Sequence, residues 1–193
     1  HREAHGCDAA RGCARSSRCD AVRSRHGTGD EGVGARADDA ERALEEALGH
    51  ATAAGEASLR LSLVGNLGDL AMSKADYEAA IRRFEEALEE SRAVNQRSYE
   101  AWCLSNLGYA YVYTGRPDLA LGTARESLQL CLQLDYRIGV TYGLYLLSAV
   151  QRALGSSEVA ARLLGAADAL RGDLDLLLDP GEAALADATR QGL

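Results

Sequence analysis

The sequence predicts an all-α chain built as an α-solenoid, in which antiparallel helix pairs stack with a period of 40 residues. Three observations carry that expectation. Apolar residues recur at three- and four-residue spacing from Ala37 onward, with almost no strand-like alternation. The two prolines, Pro117 and Pro180, both stand where a helix should begin, since proline fits the first turn, where its missing N–H costs nothing. Finally, the chain matches itself at an offset of 40: Ala40, Ala80, Ala120 and Ala160 share one column, Asn66-Leu67-Gly68 recurs as Asn106-Leu107-Gly108, and Gly115 matches Gly155. Glu45-Glu46-Ala47-Leu48 likewise recurs as Glu85-Glu86-Ala87-Leu88 and then as Glu126-Ser127-Leu128.

Taken in order, residues 1–36 are expected to form a disordered tail. They hold six glycines, seven arginines and five acids, with Val22 and Val33 as the only larger aliphatics, too little apolar area to offset the entropy of ordering. Residues 37–193 are expected to form the helical repeat domain. It opens with a lone second helix over 37–50, followed by pairs over 56–73 and 77–93, 97–114 and 117–133, and 137–154 and 157–171. A last helix over 180–190 lacks the Leu-Gly column and is expected to cap the array. Its start is written in Asp179-Pro180-Gly181-Glu182, an N-cap, a proline at N1 and an acid at N3.

The repeat columns resemble the tetratricopeptide repeat, a helix-turn-helix unit with small and large residues at fixed places. Leu107, Gly108, Tyr111, Gly115, Ala120 and Leu128 carry the resemblance in the second unit, and Leu67, Gly68, Tyr77, Ala80, Phe84 and Ala87 in the first. Three positions depart from it: Ala75 replaces the turn glycine, Ala124 the aromatic and Ser148 the helix glycine. The resemblance covers about residues 37–171. It implies a right-handed superhelix in which Gly68, Ala80, Gly108, Gly115, Ala120, Gly155 and Ala160 are structural, Gly68 and Gly108 letting the helices of a pair approach against Ala80 and Ala120. The stretch Ala160-Ala161-Arg162-Leu163-Leu164-Gly165-Ala166-Ala167, with the long period, is similar to the C-terminal repeat region of actinobacterial regulators that combine a signal-transduction ATPase, such repeats and a LuxR-type DNA-binding domain. That similarity implies a fragment of a bacterial, cytoplasmic transcriptional regulator. Two further contexts are compatible with the same repeats, a free-standing adaptor and a regulatory segment of a kinase or cyclase.

Composition narrows the chemistry. With 21 basic residues against 29 acidic ones, a net charge of −8 and a single lysine, Lys74, no nucleic acid is expected to contact this segment. Residues 157–170 could imitate a recognition helix, but they offer only Arg162 beside Glu158 and Asp168. No phosphate-cradling Gly-rich loop precedes Lys74, and no apolar run reaches the length of a membrane span, so neither an ATPase core nor a membrane partner is expected. Cys7, Cys13 and Cys19 lie six apart near His1, His5 and His26, wider than the two-to-four spacing of zinc pairs, so no metal is expected there. His50, the only histidine after the tail, reads as a partner of a helix C-terminus rather than as a catalytic base. The acidic stretches Glu85-Glu86 and Glu89-Glu90 read as a solvated helix face. No catalytic residue and no cofactor are expected.

One surface is expected to bind. In the resembled family the first helix of each unit lines the concave side. On that face stand Ser62, Gly65, Asp69 and Met72, then Trp102, Ser105, Tyr109 and Val112, then Tyr142, Tyr145, Ala149 and Arg152. Aromatic rings with a polar handle favour interfaces. Asp69, Trp102, Ser105, Tyr109, Tyr142, Tyr145 and Arg152 are therefore the candidate groove for a protein, a peptide or a small-molecule inducer, with the four rings expected to stand partly exposed. The alternative is that the same rings pack between neighbouring units.

Overall fold

The computed structural model describes residues 31–193, with side chains from Arg36 onward. The expected tail over 1–30, with Cys7, Cys13, Cys19, His1, His5 and His26, lies outside the described residues. The described chain is all-helical: α1 (Glu31–Ala54), α2 (Ala57–Ser73), α3 (Tyr77–Ala93), α4 (Arg97–Tyr113), α5 (Pro117–Gln133), α6 (Arg137–Ala153), α7 (Ser157–Asp173) and α8 (Pro180–Gln191). Two compact units divide at Arg42, within α1. Of the first, the described part is the opening stretch of α1; the second is Ala43–Leu193. α1 also runs longer at both ends than the expected 37–50. His50 therefore lies inside the helix rather than at its end, exposed and 3.8 Å from Glu46.

From α2 to α7 each helix packs on the next, and α4 also packs on α6, the arrangement of a solenoid of helix pairs. The pairs are α2–α3, α4–α5 and α6–α7. Each joint between them is the same device. The residue after each C-cap takes a left-handed φ, at Gly55, Ala75, Asn95, Gly115, Asp135, Gly155 and Asp175, every twentieth residue along the chain. The next amide then reaches back five residues to a helix carbonyl, as from Asp76 to Ala71 at 2.9 Å and from Gln96 to Ser91 at 2.8 Å. This is a Schellman closure, and it satisfies carbonyls that the helix end leaves orphaned.

Ala75 shows how strongly the joint dictates its backbone. It lacks the glycine the position favours, yet it is held at φ 57 like its counterparts. A Cβ in that conformation costs about 1–2 kcal/mol. Ala75→Gly is accordingly expected to raise stability by about 1 kcal/mol, after the extra unfolded-state entropy of glycine is subtracted, in a urea titration with unchanged m-value.

The core forms one large cluster reaching from Leu48 to Leu185 and a small second one of Tyr145, Leu164, Ala167 and Ala186. Ala80, Phe84, Ala87, Ala110, Ala120, Ala124, Leu146, Val150 and Ala160 are fully buried. Ala80 and Ala120, expected to face the two glycines, are fully buried but are not the nearest neighbours of those glycines. What presses on Gly68 is the ring of Phe84, 2.6 Å from where a Cβ would sit. At Gly108 it is Leu146 of the next pair, at 2.6 Å, with Thr123 at 3.2 Å. The reason is Ala124, which stands in the column of Phe84 and is too small to reach Gly108, so the next unit reaches it instead. Ser148, in the same column as Gly68 and Gly108, is fully buried and satisfies its hydroxyl by donating to the Tyr145 carbonyl at 2.7 Å.

The acidic faces are less idle than a solvated surface. Glu86 and Glu90 both accept from Arg60, Glu45 pairs with Arg83 and Glu78 with Arg116. Arg92 bridges Glu100 and Glu126 at 2.8 and 2.7 Å, and Tyr111 donates to Glu85 at 3.0 Å. These contacts tie α3 to α2 and α4, and also link the second helices α1, α3 and α5 to one another. No helix among the described residues is long and apolar enough to cross a membrane.

Candidate functional site

The face carried by the first helices, α2, α4 and α6, holds the candidate groove residues, and the structure sorts them into two groups. Asp69 is exposed, while Trp102, Ser105, Tyr142 and Arg152 are half-buried. Tyr109 and Tyr145, expected to stand partly exposed, are only 6% and 2% exposed.

Trp102, on α4, lies against Gly65 of α2. Its ring lies 5.5 Å from that of Phe84 at 82°, an edge-to-face contact, and 4.9 Å from that of Tyr99. Gly65 makes the approach possible: a Cβ there would meet Trp102 at 2.9 Å and would collide with the Tyr99 hydroxyl. Tyr99 in turn donates to the Leu61 carbonyl at 3.2 Å. Trp102 itself is half-buried, so part of the ring remains accessible on the face.

Tyr145 is covered by the last helix. α8 packs on α6 and α7. Tyr145 packs with Leu164, Ala167 and Ala186, and its hydroxyl donates to Asp168 at 2.6 Å. Arg190 of α8 donates to both oxygens of Asp168, at 2.6 and 2.9 Å. Burial opposes ionisation of Asp168, but the hydrogen bonds from Tyr145 and Arg190 and the charges of Arg190 and Arg171 outweigh it and hold its pKa below the usual carboxylate range. Tyr109 donates to the Tyr142 carbonyl at 3.4 Å, a long bond, and burial pushes its phenol well up.

The start of α8 lies beside the same tyrosines. Its capping box forms as the sequence predicts, with the Glu182 amide donating to Asp179 at 2.8 Å and the Asp179 amide donating to Glu182 at 3.3 Å. Tyr113, stacked at 4.9 Å on Tyr77, donates to the Gly181 carbonyl at 3.3 Å. The charges of Asp179 and Glu182 act on Tyr109, Tyr113 and Tyr142, and that of Asp179 acts on Asp69. Burial and the neighbouring Asp179 push Glu182 up to about 8. Asp69 is exposed as a residue, yet the protein around its carboxyl and the charge of Asp179 push it up to about 6. Sequence reasoning missed Tyr99 and Tyr113, and it read Asp179 and Glu182 only as a helix start.

Cys103 and Cys131 are buried, and burial raises both thiols, Cys103 to about 12, which keeps them protonated. Among the described residues no group of three His, Cys, Asp or Glu side chains could hold a metal ion.

Residues 59–133 match the family described as Tetratricopeptide repeat. The match spans α2 to α5, from just before Arg60 to the end of the second pair. It supports a tetratricopeptide repeat domain, a kind of module that mediates protein–protein contacts and is typically non-catalytic. No curated protein matches the chain. In the terms of the tetratricopeptide repeat, Trp102 and Tyr99 lie at the joint between the first helices of consecutive units, and α8 stands where a fourth unit would begin, three residues late.

Proposed function

We propose that the repeat domain is a non-catalytic binding module that receives a protein or peptide segment on the face of α2, α4 and α6, beside the start of α8. The observation that carries this reading is the combination of polar and aromatic groups left accessible there, Asp69, Ser105, Trp102 and Tyr142, on a span matching the tetratricopeptide repeat. Tyr109 and Tyr145 act beneath that surface, shaping it rather than touching the partner. Neither a nucleic acid nor a membrane is a partner of this segment, a reading supported by the net charge of −8.

The test is to pan a displayed peptide library on the full chain and to measure the recovered peptides against Ser105→Arg. That substitution places a long cation on a half-buried position of the face. Peptides that bind the parent chain and lose about tenfold or more in affinity to the variant, with its helical content intact, bear out the reading. Peptides that bind both proteins alike, or no recovered binder at all, overturn it.

The wider context proposed is a cytoplasmic bacterial regulator of the LuxR type, responding to a protein or a small-molecule inducer. Support comes from residues 160–167 and the long repeat. The full reading frame decides it: an ATPase phosphate loop upstream or a DNA-binding helix-turn-helix downstream fits, whereas a kinase or cyclase domain replaces it.

A further inference from the structure

Two of the residues expected to line the groove, Tyr145 and Arg152, are taken up by α8. Ala186 packs with Tyr145, Leu164 and Ala167, and Arg190 pairs with Asp168 at 2.6 Å. Gly192, just past the helix end, lies against Arg152: a Cβ there would meet the guanidinium Nη1 at 2.8 Å. The first turn of α8 reaches past α6 to α4, where the Gly181 carbonyl accepts from Tyr113 at 3.3 Å. A helix stacked as the next unit would lean on α7 as α6 leans on α5, but the packing of α8 on α7 is far sparser. Leu185 is the one large aliphatic side chain that α8 contributes. One group of the seat is also left unmet, because Nε of Arg152 is buried and finds no acceptor. A buried donor without a partner keeps its full desolvation cost, and Gly192 has no side chain to relieve it.

We propose that α8 is a built-in occupant of the α6 end of the binding face, displaced by a partner helix that repeats its pattern and adds an acid opposite Arg152. The seat itself specifies that partner. A leucine and a small residue stand at the places of Leu185 and Ala186, an arginine one turn on meets Asp168, and a carboxylate two residues further, in the place of Gly192, accepts from Arg152. Such a helix makes every contact of α8 and one charge-assisted bond more. It needs that surplus. Residues 174–179 tether α8 beside its seat at an effective concentration on the order of millimolar, which a free partner must overcome. This inference deepens the binding reading above and rests on it.

The test uses a synthetic peptide of residues 179–193, unmodified or with Gly192→Glu, titrated into the 15N-labelled full chain. A second labelled chain carries Ala186→Glu, which forces a charge into the contact with Tyr145 and undocks α8 while leaving the seat on α4, α6 and α7 unchanged. Amides of residues 145–149 and 164–168 are expected to shift, with an affinity about tenfold or more higher in Ala186→Glu than in the parent chain. The Gly192→Glu peptide should bind more tightly than the unmodified one. No shift in a folded Ala186→Glu chain, equal affinity for both chains, or no gain from Gly192→Glu each overturns the proposal. If Ala186→Glu does not fold, hydrogen exchange of the parent chain decides: protection over residues 183–191 about tenfold or more below that of α6 supports a displaceable helix, and equal protection overturns it. Ser105 makes none of these contacts, so a failure here leaves the outcome for Ser105→Arg standing, and the two readings can fail separately.

Discussion

Trp102→Ala is expected to destabilise the protein by about 3 kcal/mol, near the lower end for deleting a large core aromatic because one edge of the ring is open. The ring packs on Gly65 of α2 and Phe84 of α3, with Tyr99 beside it on α4, so its loss is expected to leave a cavity at the joint of two units rather than a bare patch. In a stacked array each unit leans only on its neighbours, and the weakened joint should release the shorter side first. Exchange protection should accordingly drop across α2 and α3 while α6 and α7 stay nearly unchanged. In a thermal scan the expected shift is about 6–12 °C downward. A melting temperature that barely moves, together with a specific loss of peptide binding, would place the ring in the groove and not in the wedge.

The second large effect concerns Phe84, the largest fully buried side chain, which presses on Gly68. Phe84→Ala should cost about 3–5 kcal/mol. The informative experiment adds Gly68→Ala. In the parent protein the new Cβ meets the ring at 2.6 Å, with two further ring atoms at 2.9 Å, and a rigid ring has little room to yield. An overpacking cost of about 1–3 kcal/mol follows, larger than the gain of about 1 kcal/mol from replacing a helical glycine. With Phe84 already removed the collision disappears and only the propensity gain remains. Gly68→Ala should therefore change sign between the two backgrounds, which chemical denaturation of four proteins would reveal as a coupling of about 1 kcal/mol or more. Independent effects would show that the small residue is not there for the ring.

What could be read from the sequence was whatever the repeat writes more than once. The helix limits from α2 to α7 follow from columns such as Leu107-Gly108 and from Pro117, because local chemistry and register agree there. Asp179 and Glu182 likewise announced the start of α8 through its capping box. The place of α8 on the face was not legible. It depends on contacts such as Tyr113 to Gly181, 68 residues apart, and no second copy of that contact exists for a periodic pattern to betray. Tyr145 was thus assigned to an open groove, since nothing near it in sequence announces the helix that buries it. The exchange of Phe84 for Leu146 as the filler beside the column glycine was hidden for the same reason: an alanine at 124 says that something is missing, but not which unit supplies it.

The uniform joints bear on how a chain of this kind can grow or shrink. Residues entering the second and third pairs, Gln96 and Tyr136, take nearly the same backbone angles, φ −88 and ψ 75 against φ −90 and ψ 82. Either can be followed by the other's helix without re-bending the chain. Excising or copying a whole helix pair therefore leaves every joint intact, whereas gaining or losing one or two residues at a joint would break the reach-back bond and rotate all that follows. Length in this molecule is quantised: heredity can edit it cheaply only in whole strides, and the fold itself keeps the reading frame of those strides.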